Sequence, residues 1–247
     1  MLEVTFVGTG DAFCSGGRRN SGILLRDAGA LLLLDCGPTT LQGLHGVGVD
    51  PLEIDAVAIS HFHGDHAAGL PFLLLAYRFG RPRTRPLEIL GPPGIEAFCT
   101  ELSSRLHYAS AAPPAYTLRY RTFEPGRALE IPGFRVAPFP AVHAPETRPH
   151  MLRVEGPDRS VFFTGDTGWH EALPERVGGV DLLISECTQL EERDPHHLSY
   201  ARLARERRRF TCGRMLLTHL GQEVLDARDD LELALAEDGA VVSCGAA

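Results

Sequence analysis

His61-Phe62-His63-Gly64-Asp65-His66 packs four potential metal ligands into six residues. Imidazole and carboxylate suit Zn²⁺, and also Fe²⁺ or Mn²⁺. The apolar run Ala56–Ser60 leads straight into the cluster and reads as a buried strand. On an extended turn after that strand, His61 and His63 point the same way. Asp65 and His66 then point onward as the chain enters a helix beginning near Ala67. That spacing serves two neighbouring ions rather than one. A histidine-rich turn can be plain polar surface, but four ligand-type side chains directly after a buried strand argue for metal.

Three further residues share this placement. His143 follows a strand ending at Val142, Asp166 lies in Phe162-Phe163-Thr164-Gly165-Asp166-Thr167, and His219 follows Met215-Leu216-Leu217-Thr218. Each is a ligand-type side chain where a strand meets a loop, a common address for sites built on a rigid sheet. With the cluster they make seven candidate ligands for two ions.

The strand-like runs begin with Leu2–Val7, Ile23–Arg26, Leu31–Asp35 and Ala56–Ser60. A helix is expected over Gly94–Leu106, then a Pro/Ala-rich loop at Ala109–Ala115. Strands return at Tyr116–Thr122, Phe134–Val142, Met151–Glu155, Ser160–Thr164 and Asp181–Ser185. After them come a helix over Leu198–Arg209, a strand at Met215–Thr218, a helix around Glu223–Glu237 and a last strand at Ala240–Ser243. Many strands first, then mixed β and α, with the pattern arising twice, predict an α+β chain. Two sheets pack face to face in it, with helices outside. With no repeat and no Gly/Ser linker, residues 1–247 are expected to form a single domain.

Composition narrows the chemistry. Hydrophobic residues make up 44% and charged residues 23%, enough for a sizeable core in a globular chain. No apolar stretch is long enough to span a bilayer, and nothing at the start reads as a signal peptide, so the cytoplasm is the expected location and no membrane partner is expected. The six cysteines lack any C-x-x-C pair and read as free thiols. A net charge of −8 argues against broad nucleic-acid binding. All 24 basic residues are arginines, which excludes Schiff-base, pyridoxal-phosphate and phosphate-loop lysine mechanisms. Phosphate would have to be met by arginine, backbone amides or metal.

These residues resemble the metallo-β-lactamase superfamily, and within it the ribonuclease Z and cyclic-phosphodiesterase-like branch. The resemblance runs through Gly8-Thr9-Gly10, Asp35-Cys36-Gly37, the histidine cluster, His143, Thr164-Gly165-Asp166-Thr167, Glu186 and His219. It implies a four-layer αββα sandwich and two divalent ions, zinc foremost with iron or manganese as alternatives. One ion would take His61, His63, His143 and Asp166, and the other Asp65, His66, Asp166 and His219. Two ions about 3.5–4 Å apart lower the pKa of a shared water, so a bridging hydroxide would serve as nucleophile. The resemblance further implies a proton relay, Asp65–Glu186–His197, with Glu186 in Ser185-Glu186-Cys187-Thr188 and His197 as general acid. His196 is the neighbour that could be confused with it. Homodimers are common in the family.

Substrate is less constrained. Arg78, Arg81, Arg83 and Arg85 crowd a loop soon after the cluster, and Arg78 and Arg81 are candidates to meet a phosphodiester. Arg202, Arg205 and Arg207 to Arg209 crowd a helix end, where cations are favourable in any case. Bacterial ribonuclease Z enzymes carry a long basic arm between the positions of His143 and Asp166, whereas here only 22 residues intervene. The expected function is therefore a dinuclear phosphodiesterase acting on a small, possibly cyclic, phosphodiester or nucleotide. The alternatives are tRNA 3′ processing, with RNA as substrate, and a non-hydrolytic metal carrier or cofactor-biosynthesis accessory.

Overall fold

The computed structural model describes residues 1–106 and 114–244, so residues 109–113 of the expected Pro/Ala-rich loop lie outside the described residues. Strand β1 (Glu3–Gly8), β2 (Gly22–Asp27), β3 (Ala30–Leu34), β4 (Ala56–Ala58), β5 (Leu87–Gly91) and β6 (Leu118–Thr122) lie side by side in chain order in one sheet. The second sheet holds β7 (Leu129–Ile131), β8 (Phe134–Pro140), β9 (His150–Glu155), β10 (Ser160–Phe163), β11 (Val180–Glu186) and β12 (Cys212–Thr218). A last strand, β13 (Val241–Ser243), returns to pair with β1. In the first sheet β1, β2 and β3 pair antiparallel and β3 to β6 parallel. The second repeats the scheme, antiparallel from β7 to β10 and parallel from β10 to β12.

Burial follows the two-residue period of a strand. Ala30, Leu32 and Leu34 of β3 face the core between the sheets, together with Val161 and Phe163 of β10 and Leu182 and Ile184 of β11. The alternate residues Leu31 and Leu33 turn outward onto a second core, closed by Leu44 of α1 (Thr40–Gly46), Leu70 and Leu73 of α3 (Leu70–Leu75), and Ile95 and Cys99 of α4 (Ile95–Leu106). The one-turn helix α2 (Gly64–Ala67) lies between α1 and α3 in the chain. Behind the second sheet, Phe162 and Leu183 meet Leu173 and Val177 of α5 (Leu173–Val177), Leu203 of α6 (Tyr200–Glu206) and Val224 of α7 (Gln222–Asp226). Strands buried on both faces read as continuous apolar runs, hence Ala-Leu-Leu-Leu-Leu in β3. Each fully buried leucine contributes about 1.5–3 kcal/mol of transfer free energy. The layers are helix, sheet, sheet, helix, the expected αββα sandwich.

Two helices differ from expectation. The helix anticipated over Glu223–Glu237 stops at Asp226, with a short 3-10 turn at Arg228–Asp230. Beyond it Leu231, Leu233 and Leu235 alternate against the outer core. There Leu217 N donates to Ala234 O at 2.9 Å and Ala236 N to Leu217 O at 2.7 Å, so the segment runs beside β12. The leucines carry a period of two, and Asp229 and Asp230 favour helix poorly. The helix expected over Leu198–Arg209 is regular only across Tyr200–Glu206. Ser199 Oγ caps it by accepting from Arg202 N, and residues 207–209 tighten into a 3-10 turn. Among the described residues, no helix is long and apolar enough to cross a membrane.

Candidate metal centre

The carboxyl ends of β3, β4, β8, β10, β11 and β12 open on one edge of the sandwich, and every candidate ligand sits just beyond one of them or at its end. Asp35 follows β3, the histidine turn follows β4, His143 follows β8, Asp166 follows β10, Glu186 ends β11 and His219 follows β12. Asp35 and His219 both hold a left-handed backbone, at φ 58° and 53°. Non-glycine residues rarely do so, and such strain concentrates where side chains must be aimed. Gly37 lets the loop after β3 touch the histidine turn, since a Cβ there would stand 2.2 Å from the carbonyl oxygen of Asp65.

The seven residues fall into two groups sharing Asp166. His61, His63, His143 and Asp166 form one, and Asp65, His66, Asp166 and His219 the other, with ligand atoms within 4.8 Å of one another in each. Asp166 is divided between them. Its Oδ2 lies 3.8 Å from His61 Nε2 and 3.9 Å from His143 Nε2, and its Oδ1 lies 3.3 Å from His66 Nε2 and 3.5 Å from His219 Nε2. Asp65 Oδ2 is 3.3 Å from His66 Nε2 and 3.1 Å from His219 Nε2.

Hydrogen bonding decides which nitrogen of each ring faces inward. Asp35 is fully buried, and its Oδ2 accepts from Ser60 Oγ at 3.0 Å and meets His66 Nδ1 at 2.6 Å. Having given its one proton to Asp35, the Ser60 hydroxyl can only accept from His61 Nδ1, 3.0 Å away. His143 Nδ1 donates to the carbonyl of His196 at 2.9 Å. In all three rings Nδ1 carries a proton, which leaves Nε2 as the nitrogen that faces the centre. His63 Nδ1 then lies 3.1 Å from His61 Nε2 and 3.0 Å from His143 Nε2. Three imidazole nitrogens thus converge where hydrogen bonds alone cannot satisfy them. In the other group His66 Nε2 and Asp166 Oδ1 are buried with no hydrogen-bond partner. Groups buried in this way are costly unless something satisfies them, and a divalent cation in each group would satisfy them. The donor set, imidazole and carboxylate, fits zinc.

Charge balance agrees. Burial, together with the neighbouring His66, keeps His61 well below the usual imidazole range and so neutral, as a ligand must be. Burial opposes charge on His66 too, but the carboxylates of Asp166, Asp35 and Asp65 overcome it and hold its proton. His219 is raised in the same way, against its burial, by Asp166 and its bond to Asp65. Metal uptake must displace those protons, so a cation competes less well as the solution is acidified.

Beside the ligands, Glu186 is buried, with Oε1 accepting from Thr167 N at 2.8 Å and Oε2 from Thr188 Oγ1 at 2.7 Å. His197 Nδ1 stands 3.1 Å from Glu186 Oε1 and 4.0 Å from Asp166 Oδ2. Burial works against a charged His197, yet Glu186 prevails and pushes its pKa up to about 9. His196, by contrast, turns its exposed ring to Asp194, and only its carbonyl reaches the centre. No hydrogen bond joins Asp65 to Glu186. The connection runs from Asp65 through His219 Nε2, and from His219 Nδ1 to Thr188 Oγ1 at 2.9 Å. Asp35 and Thr188 had no role assigned from sequence, although Asp35-Cys36-Gly37 and Ser185-Glu186-Cys187-Thr188 both stood in the motifs that carry the resemblance.

The arginine loop is spread apart. Arg81 pairs with Asp50 at 2.6 Å, the Arg78 guanidinium lies 5.4 Å from the Phe79 ring, and Arg85 pairs with Asp55. Arg83 is buried, donating to the carbonyls of Leu52, Ile54, Arg85 and Pro86 and lying over the rings of Tyr77 and Tyr116. Arg202 and Arg209 both lie over Trp169. A cavity of about 300 Å³ opens between Trp169, Asp194 and Arg202, with His197 in its wall.

Residues 2–242 match the family described as Anti-Pycsar protein Apyc1. The chain is 28% identical over 271 residues to ribonuclease Z of Methanothermobacter thermautotrophicus, covering 89% of this chain and 87% of that protein. It is 28% identical over 259 residues to ribonuclease Z of Mycobacterium bovis, covering 96% and 92%. The crystal structure of the metallo-β-lactamase-fold protein YhfI from Bacillus subtilis superposes with a TM-score of 0.80 at 25% identity, covering 98% of this chain and all of that one. The short form of human tRNase Z superposes with a TM-score of 0.77 at 27% identity, covering 99% and 100%.

Proposed function

Because the chain belongs to the anti-Pycsar Apyc1 family, in the ribonuclease Z and phosphodiesterase branch of the metallo-β-lactamase superfamily, and is a metal-dependent hydrolase, we propose that it cleaves small phosphodiesters, cyclic or linear, of the nucleotide class. The observation that carries the two-metal part is Asp166, whose oxygens divide between two groups of inward-facing ligands. His61, His63, His143 and Asp166 would hold one ion, and Asp65, His66, Asp166 and His219 the other, zinc being the metal their chemistry suits best. When bound, such a pair supplies Lewis acidity to the phosphoryl oxygen and a hydroxide at neutral pH.

The chain's own residues supply the rest. Asp35 fixes the rings of His61 and His66 in the ligating tautomer. Glu186, held by Thr167 and Thr188, favours the protonated form of His197. His197 spends Nδ1 on Glu186, which leaves its Nε2 proton for the departing oxygen. The cavity of about 300 Å³ beside His197 has room for a nucleoside-sized leaving group.

One observation favours a small substrate over tRNA. The 22 residues between His143 and Asp166 form a short 3-10 turn, β9, β10 and the brief loops joining them, with no arm to grip a large RNA. The second reading, tRNA 3′ processing, draws on the ribonuclease Z relatives. The test is metal content per chain together with turnover of bis(p-nitrophenyl) phosphate, cyclic nucleotides and a precursor tRNA. Two metal equivalents with small diesters cleaved and tRNA intact is the expected outcome. Clean 3′ cleavage of tRNA makes the second reading the function, and metal without any diester turnover defeats both.

A further inference from the structure

Glu186, His197 and His219 form a third set of ligand-type atoms within 4.8 Å of one another, sharing only His219 with the two groups assigned to metal. At their meeting point stands the hydroxyl of Thr188. Its Oγ1 is 2.7 Å from Glu186 Oε2, 2.9 Å from His219 Nδ1 and 3.3 Å from His197 Nδ1. We propose that Thr188 is a positioning residue, whose single hydroxyl fixes the ligating tautomer of His219 and ties that ligand to the Glu186–His197 proton donor.

The argument is one of hydrogen-bond capacity. An ionised carboxylate only accepts, so the one Thr188 proton goes to Glu186 Oε2. The oxygen can then only accept, and His219 must offer it Nδ1–H. Once metal displaces its second proton, the lone pair of His219 is on Nε2, the nitrogen facing Asp65 Oδ2 at 3.1 Å and Asp166 Oδ1 at 3.5 Å. His197 shares the same acceptors through its own Nδ1. Thr188 thus does for His219 what Asp35 does for His61 and His66 and the His196 carbonyl does for His143. It differs from them in also holding the proton donor. His219 sits at φ 53° with Leu220 N bound to Thr9 O at 3.0 Å, so its backbone cannot readily swing to find another acceptor.

This rests on the two-metal reading, and the experiment separates the two claims. The zinc content of the parent protein comes first, and fewer than two equivalents overturns that reading before any variant is made. Thr188→Val keeps the branched shape and deletes the hydroxyl, whereas Thr188→Ser restores it. In competition with a chelator, the valine protein should release zinc about 10–100-fold more readily than the parent, the usual cost of losing such an orienting partner. Its kcat on bis(p-nitrophenyl) phosphate should fall together with zinc retention, while KM stays within about twofold and serine restores both. Equal zinc retention and kcat in the valine protein overturns the proposal. A serine protein as impaired as the valine one also overturns it, since the methyl group would then be what matters. Should the valine protein not fold, ¹⁵N shifts of the zinc-loaded parent decide, because a His219 proton on Nε2 contradicts it.

Discussion

The two sides of the metal centre are built in opposite ways. On the first sheet, four candidate ligands come from one turn of six residues, and one buried carboxylate, Asp35, aims two of their rings, His66 directly and His61 through Ser60. On the second sheet His143, Asp166 and His219 come from three separate strand ends. The two histidines each have their own acceptor there, the His196 carbonyl and the Thr188 hydroxyl. The compact side gains precision from proximity in the chain. The dispersed side obtains it from the sheet, and through Thr188 and Glu186 it also carries His197, the proposed proton donor.

Removing what joins the two sides should do most. Asp166→Ala takes a ligand from each group at once, so metal affinity and turnover should fall by more than the roughly 10–100-fold expected for an orienting residue. Metal analysis and kcat on a small diester check this, and retention of two ions by the variant would separate the groups after all. His197→Ala acts on the dispersed side alone. Turnover of a diester with an alkoxide leaving group should drop about 10²–10⁴-fold with metal content intact. The drop should be much smaller for p-nitrophenyl substrates, whose leaving group needs no proton, and an equal loss on both would argue against proton donation. Asp35→Asn strikes the compact side, where a chelator titration should show metal affinity lowered about 10–100-fold with His61 and His66 no longer aimed. The smallest effect is expected at Arg81→Ala, which breaks an exposed pair with Asp50 and should shift kcat/KM by less than about twofold. A clear rise in KM there would instead place Arg81 against the substrate.

The same contrast explains what could be read from the chain. The histidine turn was legible because its chemistry is local, and β3 because five consecutive apolar residues admit few other readings. His143, Asp166 and His219 were legible only as strand-end residues whose meaning depended on the cluster. The part played by Asp35 was not legible, since a carboxylate 25 residues before Ser60 gives no sign of where it will fold. Thr188 was hidden by its ordinary chemistry, as most threonines cap or solvate. For the relay expected as Asp65–Glu186–His197, Glu186 lies against His197, while the hydrogen bonds toward Asp65 run through Thr188 and His219, which the expectation did not include. The segment after α7 misled because Leu-Glu-Leu-Ala-Leu suits a period of two as well as a helix, and only contact with β12 chooses between them.

Asp65 and His219 stand 154 residues apart in sequence, on opposite sheets, yet 3.1 Å apart in space. An ion held by both would act as a clasp across the sandwich, closing a very long loop of chain. Metal would then be a folding ligand as much as a reagent, raising the melting temperature with its free concentration. Stripping it should loosen the open edge first, where amide hydrogens after β4, β10 and β12 would exchange faster while those of β3 and β11 stay protected.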